Sequence, residues 1–263
     1  MLQSLTTKTG MCKMTKIFAM SNHKGGVGKT TSTINIAAAL ANRKKKCLLV
    51  DLDPQANLTQ SLGIEDADPT IYDYLKGEKP INCIEIRKNL YVLPSSLDLS
   101  AAEIDLSSEP GREYILKDVL SNMNENYDYI FIDCPPSLGL LTINALTAAD
   151  FVFIPLQAEY LPLRGLAKLN EVIKKIKSRL NPKLEIGCVF LTKYDSRKIL
   201  NRDVADSVKD FFGSKMLSTK ISNNIALAEA PSQGKDIFLY NKNCKGATDY
   251  KDLCAELLEK KVA

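Results

Sequence analysis

The sequence predicts an α/β fold, in which one domain is built on a mostly parallel, twisted sheet with helices on both of its faces. Apolar, β-branched runs alternate with helical patterns along the chain, which is typical of parallel strands joined by crossover helices. The runs at 47–51, 128–132 and 151–155 are nearly all apolar, as expected for strands that are covered on both faces. A length of 263 residues is enough for one large domain with a substantial core.

Each predicted strand is a short run rich in apolar and β-branched residues, and each predicted helix has apolar residues at helical spacing. In chain order we predict strands at 16–20, 47–51, 90–93, 128–132, 151–155 and 186–192, with a shorter one at 216–221. We predict helices at 29–42, 98–106, 112–124, 139–148, 162–179, 203–212 and 247–260. Pro162 occupies a favoured first-turn position in the helix that it begins.

The composition limits the classes of protein that the chain can belong to. The formal net charge is only +4, from 35 basic and 31 acidic residues, so any binding to nucleic acid must depend on a local basic patch. Seven cysteines are scattered without metal-ligand spacing and no secretory signal is recognisable, which predicts reduced thiols in a cytoplasm. No apolar run approaches the roughly 18–20 residues that span a bilayer. Residues 1–14 are polar, and we expect them to be a disordered lead or to precede the true start.

A glycine-rich run directly follows the first predicted strand and consists of Ser21-Asn22-His23-Lys24-Gly25-Gly26-Val27-Gly28-Lys29-Thr30-Thr31. Glycines let backbone N–H groups turn inward and surround phosphate oxygens, because no Cβ blocks the approach. The helix predicted after the run directs the positive end of its dipole at the same anion. We expect Lys29 to reach the β- and γ-phosphates of a nucleotide and the Thr30 hydroxyl to bind Mg²⁺. The run therefore predicts the phosphate-binding loop of a P-loop NTPase.

The loop departs from the ordinary P-loop pattern at its start. His23 stands where the first glycine of the pattern is expected, and a second lysine, Lys24, stands at the front of the loop. Lys24 therefore indicates a particular subclass of NTPase.

Two predicted strands end in aspartate. Asp51 is followed by Asp53 within Asp51-Leu52-Asp53-Pro54-Gln55, and Asp133 begins Asp133-Cys134-Pro135-Pro136. Ligands of open α/β sheets bind beyond the carboxyl ends of the strands. We therefore expect these carboxylates to face the phosphate-binding loop.

Taken together, these blocks resemble the ParA/Soj family of partition ATPases, within the deviant Walker A, or MinD/ParA, group. The resemblance covers about residues 15–260 and rests on the segments 24–31, 51–57, 132–138 and 228–232. It implies one ATPase domain over residues 15–263, a slow intrinsic hydrolysis of ATP to ADP and phosphate, and ATP and Mg²⁺ as cofactors.

The resemblance also assigns roles to individual residues. It gives catalytic roles to Lys24, Lys29 and Asp53, with Asp53 orienting the attacking water. It implies that Lys24 contacts the partner's phosphates in an ATP-dependent homodimer, somewhat as an arginine finger does. The nucleotide-binding residues that it implies are Lys24, Gly25, Gly26, Val27, Gly28, Lys29, Thr30, Thr31, Pro231 and Ser232, the last two at the adenine. The Mg²⁺-binding residues that it implies are Thr30, Asp51 and Asp133.

Relatives of this type bind duplex DNA without sequence specificity, and a ParB-like partner stimulates hydrolysis. The resemblance therefore implies a cytoplasmic protein that associates with the nucleoid when it is bound to ATP. The DNA-binding residues that we expect are Arg197, Lys198, Arg202 and Lys220. Asn223 and Ala226 stand where chromosomal relatives typically carry arginines.

Three alternatives use the same nucleotide chemistry. A MinD-like ATPase ends in a basic amphipathic helix that lies on a membrane, whereas the tail at 249–263 contains several acidic residues, so we expect a docked helix and no membrane partner. A related ATPase that positions a protein cargo is not distinguished by the sequence. An electron carrier similar to the nitrogenase iron protein needs a second cysteine beside Cys134, and the sequence places none there.

Overall fold

The computed structural model of the chain describes residues 15–123, 126–159 and 162–263, and the lead predicted for 1–14 lies outside them. In chain order the strands are β1 (Lys16–Met20), β2 (Cys47–Asp51), β3 (Ile84–Arg87), β4 (Leu90–Leu93), β5 (Tyr129–Asp133), β6 (Phe151–Gln157) and β7 (Glu185–Thr192). They form one sheet in the order β3-β4-β2-β5-β1-β6-β7. All neighbours are parallel except β3, which pairs antiparallel with β4 at the edge.

The helices connect the strands and continue beyond the last one. They are α1 (Lys29–Asn42), α2 (Asn57–Ser61), α3 (Ile71–Lys76), α4 (Ala102–Asp105), α5 (Ile115–Ser121), α6 (Leu140–Ala148), α7 (Pro162–Arg179), α8 (Ile199–Phe212), α9 (Ile225–Glu229), α10 (Ile237–Asn241) and α11 (Lys245–Glu259). Short 3-10 helices lie at Leu97–Ala101, Gly213–Lys215 and Ala230–Gln233.

The strands bury side chains on both faces of the sheet. In β1, Ile17 and Ala19 face a layer that contains α3, α5, α6, α7 and α8, whereas Phe18 and Met20 face a layer that contains α1, α10 and α11. Successive side chains of a strand point to opposite faces, so a strand that is apolar throughout must be covered on both. The α/β fold class predicted from the sequence is therefore confirmed.

The strand predicted at 216–221 is wrong. The structure has an isolated bridge there, between Met216 and Val189 of β7, and the N–H groups of Leu217 and Ile221 donate to β7 carbonyls at 2.8 Å. The backbone N–H groups of Ser218 and Thr219 donate to the carboxylate of Glu256 in α11, at 2.8 and 2.9 Å. Because this carboxylate takes the N–H groups that lie between the two contacts with β7, the pairing is interrupted and no strand forms.

Other elements differ in extent. The helix predicted at 98–106 is a 3-10 turn followed by the single turn of α4, and the helix predicted at 112–124 is ordered as α5 only over Ile115–Ser121. Helix α8 begins at Ile199, four residues before the predicted start at 203. Strand β3 and the short helices α2, α3, α9 and α10 were not predicted.

The strand-end aspartates and the glycine-rich loop lie at the same edge of the sheet. Met20, the last residue of β1, is in register with Asp133 of β5, and Asp133 is in register with Asp51 of β2. The carboxyl ends of three adjacent central strands therefore meet beside the loop that joins β1 to α1, as expected for ligand sites in such sheets.

Candidate nucleotide-binding site

The loop between β1 and α1 owes its shape to its glycines. Gly26 and Gly28 have φ angles of 72° and 86°, in the left-handed region that side chains disfavour. A Cβ at Gly26 would meet nothing within 4 Å, so the backbone conformation, and not a lack of space, requires glycine there. Thr192, at the end of β7, donates its hydroxyl to the carbonyl of Val27 at 2.8 Å and fixes the loop against the sheet.

Lys29 begins α1 and carries a charge into a confined position. The residue is only 7% exposed, and its ammonium contacts the carbonyl of Lys24 at a long 3.5 Å. Among the described residues, no carboxylate forms an ion pair with it. Buried charges in proteins are normally paired. The ammonium of Lys29 is therefore placed to bind an anion supplied from outside the chain.

Asp133 lies directly behind this loop and is 1% exposed. Its carboxylate accepts the Thr30 hydroxyl at 2.6 Å and the Thr33 hydroxyl at 3.3 Å. Burial, together with the nearby charge of Asp51, raises the pKa of Asp133 to about 8. The negative charge of this carboxylate, at the end of β5, is therefore only poorly compensated by groups of the protein.

Asp51 is completely buried beside it. One oxygen accepts the N–H and hydroxyl of Thr59 at 2.9 and 2.7 Å, and the other accepts the N–H of Asp53 at 3.2 Å. Burial raises the pKa of Asp51 to about 6, although the hydrogen bonds from Thr59 oppose the shift. These contacts fix the orientation of the carboxylate.

The oxygen ligands at this site suit a hard divalent cation that is also coordinated by a phosphate. Thr30, Asp51 and Asp133 offer hydroxyl and carboxylate oxygens, which Mg²⁺ prefers. Within the described part of the chain no group of three or more His, Cys, Asp or Glu residues could hold a metal ion. One or two carboxylates and a hydroxyl match the way Mg²⁺ is held beside substrate phosphates, rather than in a cage made only of protein.

Asp53 follows the buried strand end and lines the cleft in front of the loop. It is 8% exposed, and its carboxylate accepts the N–H of Gln55 at 3.0 Å. The hydroxyl of Ser95 donates to the Asp53 carbonyl at 2.9 Å and anchors the turn. A carboxylate held in this way beside the loop can orient a water molecule near a bound phosphate.

The cleft has a volume of about 490 Å³, and its other wall comes from the chain after β7. Thr192 and Lys193 lie at the carboxyl end of β7 and contribute to this wall. The further residues of the wall are Ile221, Ser222, Asn223, Asn224, Leu227, Ala228 and Tyr250. This role of the chain at the end of β7 was not predicted, although the rule that pointed to Asp51 and Asp133 applies equally there.

Pro231 and Ser232, which we expected to line the adenine pocket, are not among the residues that line this cleft. They lie in the 3-10 helix at Ala230–Gln233, where the Ser232 hydroxyl donates to the carbonyl of Glu229 at 2.7 Å. Leu227 and Ala228 of α9 line the cleft, and the role expected of Pro231 and Ser232 at the adenine stays a prediction.

Lys24 lies at the mouth of the loop. Its N–H donates to the side chain of Asn22 at 3.0 Å, and Asn22 in turn donates to the carbonyl of Pro155 at 2.7 Å. The Lys24 ammonium forms an ion pair with Glu159, which follows β6. Lys24 is exposed, whereas Lys29 is buried, so the two lysines of the loop occupy different environments.

The residues expected to bind DNA lie around the loop between β7 and α8. Arg197 donates to both carboxylate oxygens of Asp195, at 3.0 and 2.9 Å, and its side chain is 88% exposed. Lys198 is exposed beside it. The guanidinium of Arg197 therefore faces solvent while it is paired with Asp195.

Arg202 and Lys220 are the other two residues expected to bind DNA. Arg202, in α8, donates to the carbonyl of Ser196 at 3.3 Å. The ammonium of Lys220 lies 4.3 Å from the ring centroid of Tyr194. Ala226 is only 6% exposed, so its position adds nothing to the exposed charge.

Helix α11 is docked on the body of the protein. Tyr250, Leu253 and Leu257 lie in the core layer that contains α1, and each is at most 1% exposed. The Tyr250 hydroxyl also makes a hydrogen bond of 2.9 Å with the hydroxyl of Ser32 in α1. None of the described helices is both long and apolar enough to cross a lipid bilayer.

Comparison with known proteins adds the family. The profile of a family described as an AAA domain matches residues 15–186. The chromosome-partitioning ATPase Soj of Treponema pallidum (strain Nichols) is 47% identical over 249 residues, which are 93% of this chain and 98% of that protein. The sporulation initiation inhibitor protein Soj of Bacillus subtilis (strain 168) is 48% identical over 251 residues, again 93% and 98% of the two chains.

Solved structures agree with the fold. Cobyrinic acid a,c-diamide synthase from Mycobacterium smegmatis, with bound ADP and magnesium, has a TM-score of 0.83 at 36% identity and covers 94% of this chain and 95% of that chain. A plasmid partition protein from Borrelia burgdorferi B31 bound to AMPPNP has a TM-score of 0.81 at 28% identity, over 94% and 99% of the two chains. With relatives of this identity along nearly its whole length, the chain belongs to the Soj/ParA family of partition ATPases.

Proposed function

We propose that the chain is an Mg-ATP-dependent ATPase that dimerises when it binds ATP and acts in plasmid or chromosome partition through binding to non-specific duplex DNA. The observation that carries this proposal is the buried ammonium of Lys29, which begins α1 and has no carboxylate partner among the described residues. A nucleotide phosphate supplies the missing anion. Relatives named as partition ATPases, and neighbours solved with ADP, magnesium or AMPPNP, support ATP and Mg²⁺ as its ligands.

The phosphates of ATP are held by the loop and by α1. The N–H groups from Gly25 to Thr31 surround them, and Lys29 neutralises part of their charge. Thr30 and Asp133, with Asp51 behind them, hold Mg²⁺. When bound, Mg²⁺ neutralises the charge that develops on the phosphate oxygens during transfer.

Hydrolysis depends on the position of one water molecule. Asp53 faces the cleft with one carboxylate oxygen occupied by the N–H of Gln55, which leaves the other to orient a water. Phosphoryl transfer needs mainly positioning and electrostatic stabilisation, so a carboxylate alone gives slow intrinsic turnover. A ParB-like partner then accelerates the reaction, which suits a switch whose bound state must persist.

Dimerisation brings Lys24 into the reaction. Its exposed position at the mouth of the loop leaves its ammonium accessible to a second protomer. Because its contacts with the phosphates of the partner exist only in the ATP-bound pair, ATP shifts the population toward the dimer.

DNA binding depends on the cations around the β7–α8 loop, Arg197, Lys198, Arg202 and Lys220. Each such cation near a phosphate releases counterions, so the affinity falls steeply with salt. In a dimer the surface is present twice, which strengthens binding without new contacts. The protein is therefore cytoplasmic and associates with the nucleoid while ATP is bound.

A second candidate is a switch that binds a membrane or a protein cargo instead of DNA. The membrane version requires a free amphipathic helix. Helix α11 uses Tyr250, Leu253 and Leu257 to pack on the core, which favours DNA over lipid.

The test uses the variant Asp53→Ala, which should hold ATP without hydrolysing it. Binding to a non-specific duplex is measured by fluorescence anisotropy with ATP, ADP or no nucleotide, at low and moderate salt. We expect binding with ATP only, weakening steeply with salt. The added substitution Lys198→Ala should reduce the slope of log K against log salt by about one. Lys183→Ala, at an exposed position before β7, is the matched control and should leave the slope unchanged.

An ATP-bound dimer that ignores DNA under both salt conditions would overturn the partition function. The nucleotide switch would then stand, and lipid vesicles and candidate protein partners would be tested as its surface.

A further inference from the structure

The base of a bound nucleotide must occupy the part of the cleft that is remote from the reacting phosphate. The loop, Asp53 and Pro136 form the phosphate end. The opposite wall contains apolar groups of Ile221, Leu227 and Ala228, and such surfaces suit the faces of a planar base. The polar groups of the same wall are therefore the ones that meet the edge of the base.

Two neighbouring amides belong to this wall, and they differ in what they offer. The side-chain oxygen of Asn224 accepts the N–H of Ala226 at 3.0 Å and caps α9, so this oxygen is occupied. Asn223 is exposed, and only its backbone N–H is engaged, with the carbonyl of Tyr194 at 3.4 Å. Its side chain makes no hydrogen bond to the described residues. Of these two asparagines, only Asn223 therefore offers the cleft a complete amide, with donor and acceptor.

A complete amide matches adenine better than guanine. Adenine presents an amino donor beside a ring-nitrogen acceptor, and a carboxamide pairs with this combination through two hydrogen bonds. Guanine presents a carbonyl beside two donors on its Watson–Crick edge, and a carboxylate, which only accepts, is the group that suits two adjacent donors.

The nearby carboxylate that could serve guanine is engaged elsewhere. Asp195 lines a small pocket of about 290 Å³ that also includes Ser222 and Asn223 and so adjoins the cleft. Both of its oxygens accept from the guanidinium of Arg197, and one also accepts the Arg197 N–H at 3.1 Å. The pair fixes the carboxylate on Arg197 within the adjoining pocket, whereas the amide of Asn223 is common to both cavities.

We infer that Asn223 determines the base specificity of this site and selects adenine over guanine nucleotides. The inference rests on the proposed function, because it assumes that the cleft binds a nucleoside triphosphate. It assigns to Asn223 a role within the protomer, separate from any contact with DNA.

The test compares the affinities of AMPPNP and GMPPNP, which are not hydrolysed, by isothermal titration calorimetry with Mg²⁺. The intact chain should prefer AMPPNP by roughly 5- to 150-fold, which corresponds to one bidentate amide–base pair. Asn223→Ala should lose most of this preference, mainly through weaker AMPPNP binding. Asn223→Asp should reverse it, because a carboxylate accepts from both donors of guanine. Asn243→Ala, at an exposed asparagine outside the cleft, is the control and should retain the preference of the intact chain.

The outcomes separate the two hypotheses. If the intact chain binds AMPPNP and Asn223→Ala keeps the full preference, the role of Asn223 is refuted while the nucleotide site stands. If the intact chain binds neither analogue, the proposed function fails and this inference fails with it. Thermal unfolding of each variant without nucleotide checks that the exposed substitution leaves the fold intact.

Discussion

Lys24 and Glu159 form an ion pair at the mouth of the phosphate-binding loop. The two side chains are 53% and 48% exposed, and ion pairs at this level of exposure contribute only about 0–1 kcal/mol. The pair therefore positions the Lys24 ammonium without holding it firmly. A lysine that must reach a second protomer can leave such a partner at little cost.

The first prediction concerns this lysine. In the Asp53→Ala background, Lys24→Ala should bind ATP with little change in affinity and yet remain monomeric, because it lacks the contact that only the dimer completes. Glu159→Gln should dimerise at least as readily, with a dissociation constant lowered at most about 30-fold, since each of the two pairs in a dimer contributes no more than ~1 kcal/mol. Sedimentation velocity with ATP measures both. An ATP dimer of Lys24→Ala as stable as that of its parent would refute the role of Lys24.

Lys29 should behave differently because it is buried. Lys29→Ala should abolish measurable ATP binding in calorimetry, since the loop loses the cation at its centre. The free chain should not be destabilised, because a buried charge without a carboxylate partner is costly to the fold. Thermal unfolding without nucleotide tests this part. Lys198→Ala, at an exposed position, is the control and should bind ATP normally; retained ATP affinity in Lys29→Ala would contradict our assignment.

Much of the fold could be predicted from the sequence because the bounds of many strands and helices are determined by neighbouring residues. The bounds of β1, β2, β4, α1 and α7 coincide with the predicted ones, since apolar runs and helical spacing are properties of neighbouring residues. The positive φ angles of Gly26 and Gly28 likewise depend on residue type at those positions.

The features that were not predicted depend on contacts between residues that are far apart in the sequence. Strand β3 has only four residues, all at least partly exposed, and Arg87 at its end pairs at 2.9 Å with Asp236, far along the chain. The far wall of the cleft depends on where α9 docks, which places Leu227 and Ala228 there. No local pattern in these segments indicates such docking.

The role of Asp53 can be separated from its structural contacts. Asp53→Asn retains an oxygen that can accept the N–H of Gln55, whereas Asp53→Ala does not. Both variants should lose hydrolysis and accumulate an ATP-bound dimer, because a neutral side chain no longer orients the water as a carboxylate does. Phosphate release and sedimentation with ATP measure the two effects. Normal turnover by Asp53→Asn, or a monomer of Asp53→Ala with ATP, would show that the carboxylate has another role.

The last prediction concerns Glu256, whose carboxylate accepts the N–H groups of Ser218 and Thr219 in the segment where a strand was predicted, 216–221. Burial of Glu256 favours its neutral form, but the N–H groups of Ser218 and Thr219 and the charge of Lys260 outweigh this and lower its pKa below the ordinary 4.5. A depressed carboxylate pKa stabilises the fold above the unfolded pKa, and this stabilisation is lost as the pH falls through the folded pKa.

Glu256→Gln should therefore lower the free energy of unfolding at pH 7 by about 1 kcal/mol, a value discounted for partial exposure of the site. The difference from the parent should shrink as the pH falls below 4.5, because the parent loses its charge there as well. Urea unfolding without nucleotide, at neutral and acidic pH, measures it, and Glu259→Gln at the exposed end of α11 is the control. If the difference is instead constant across pH, the segment is held by packing of Leu217 and Ile221, and the charge on Glu256 contributes nothing to it.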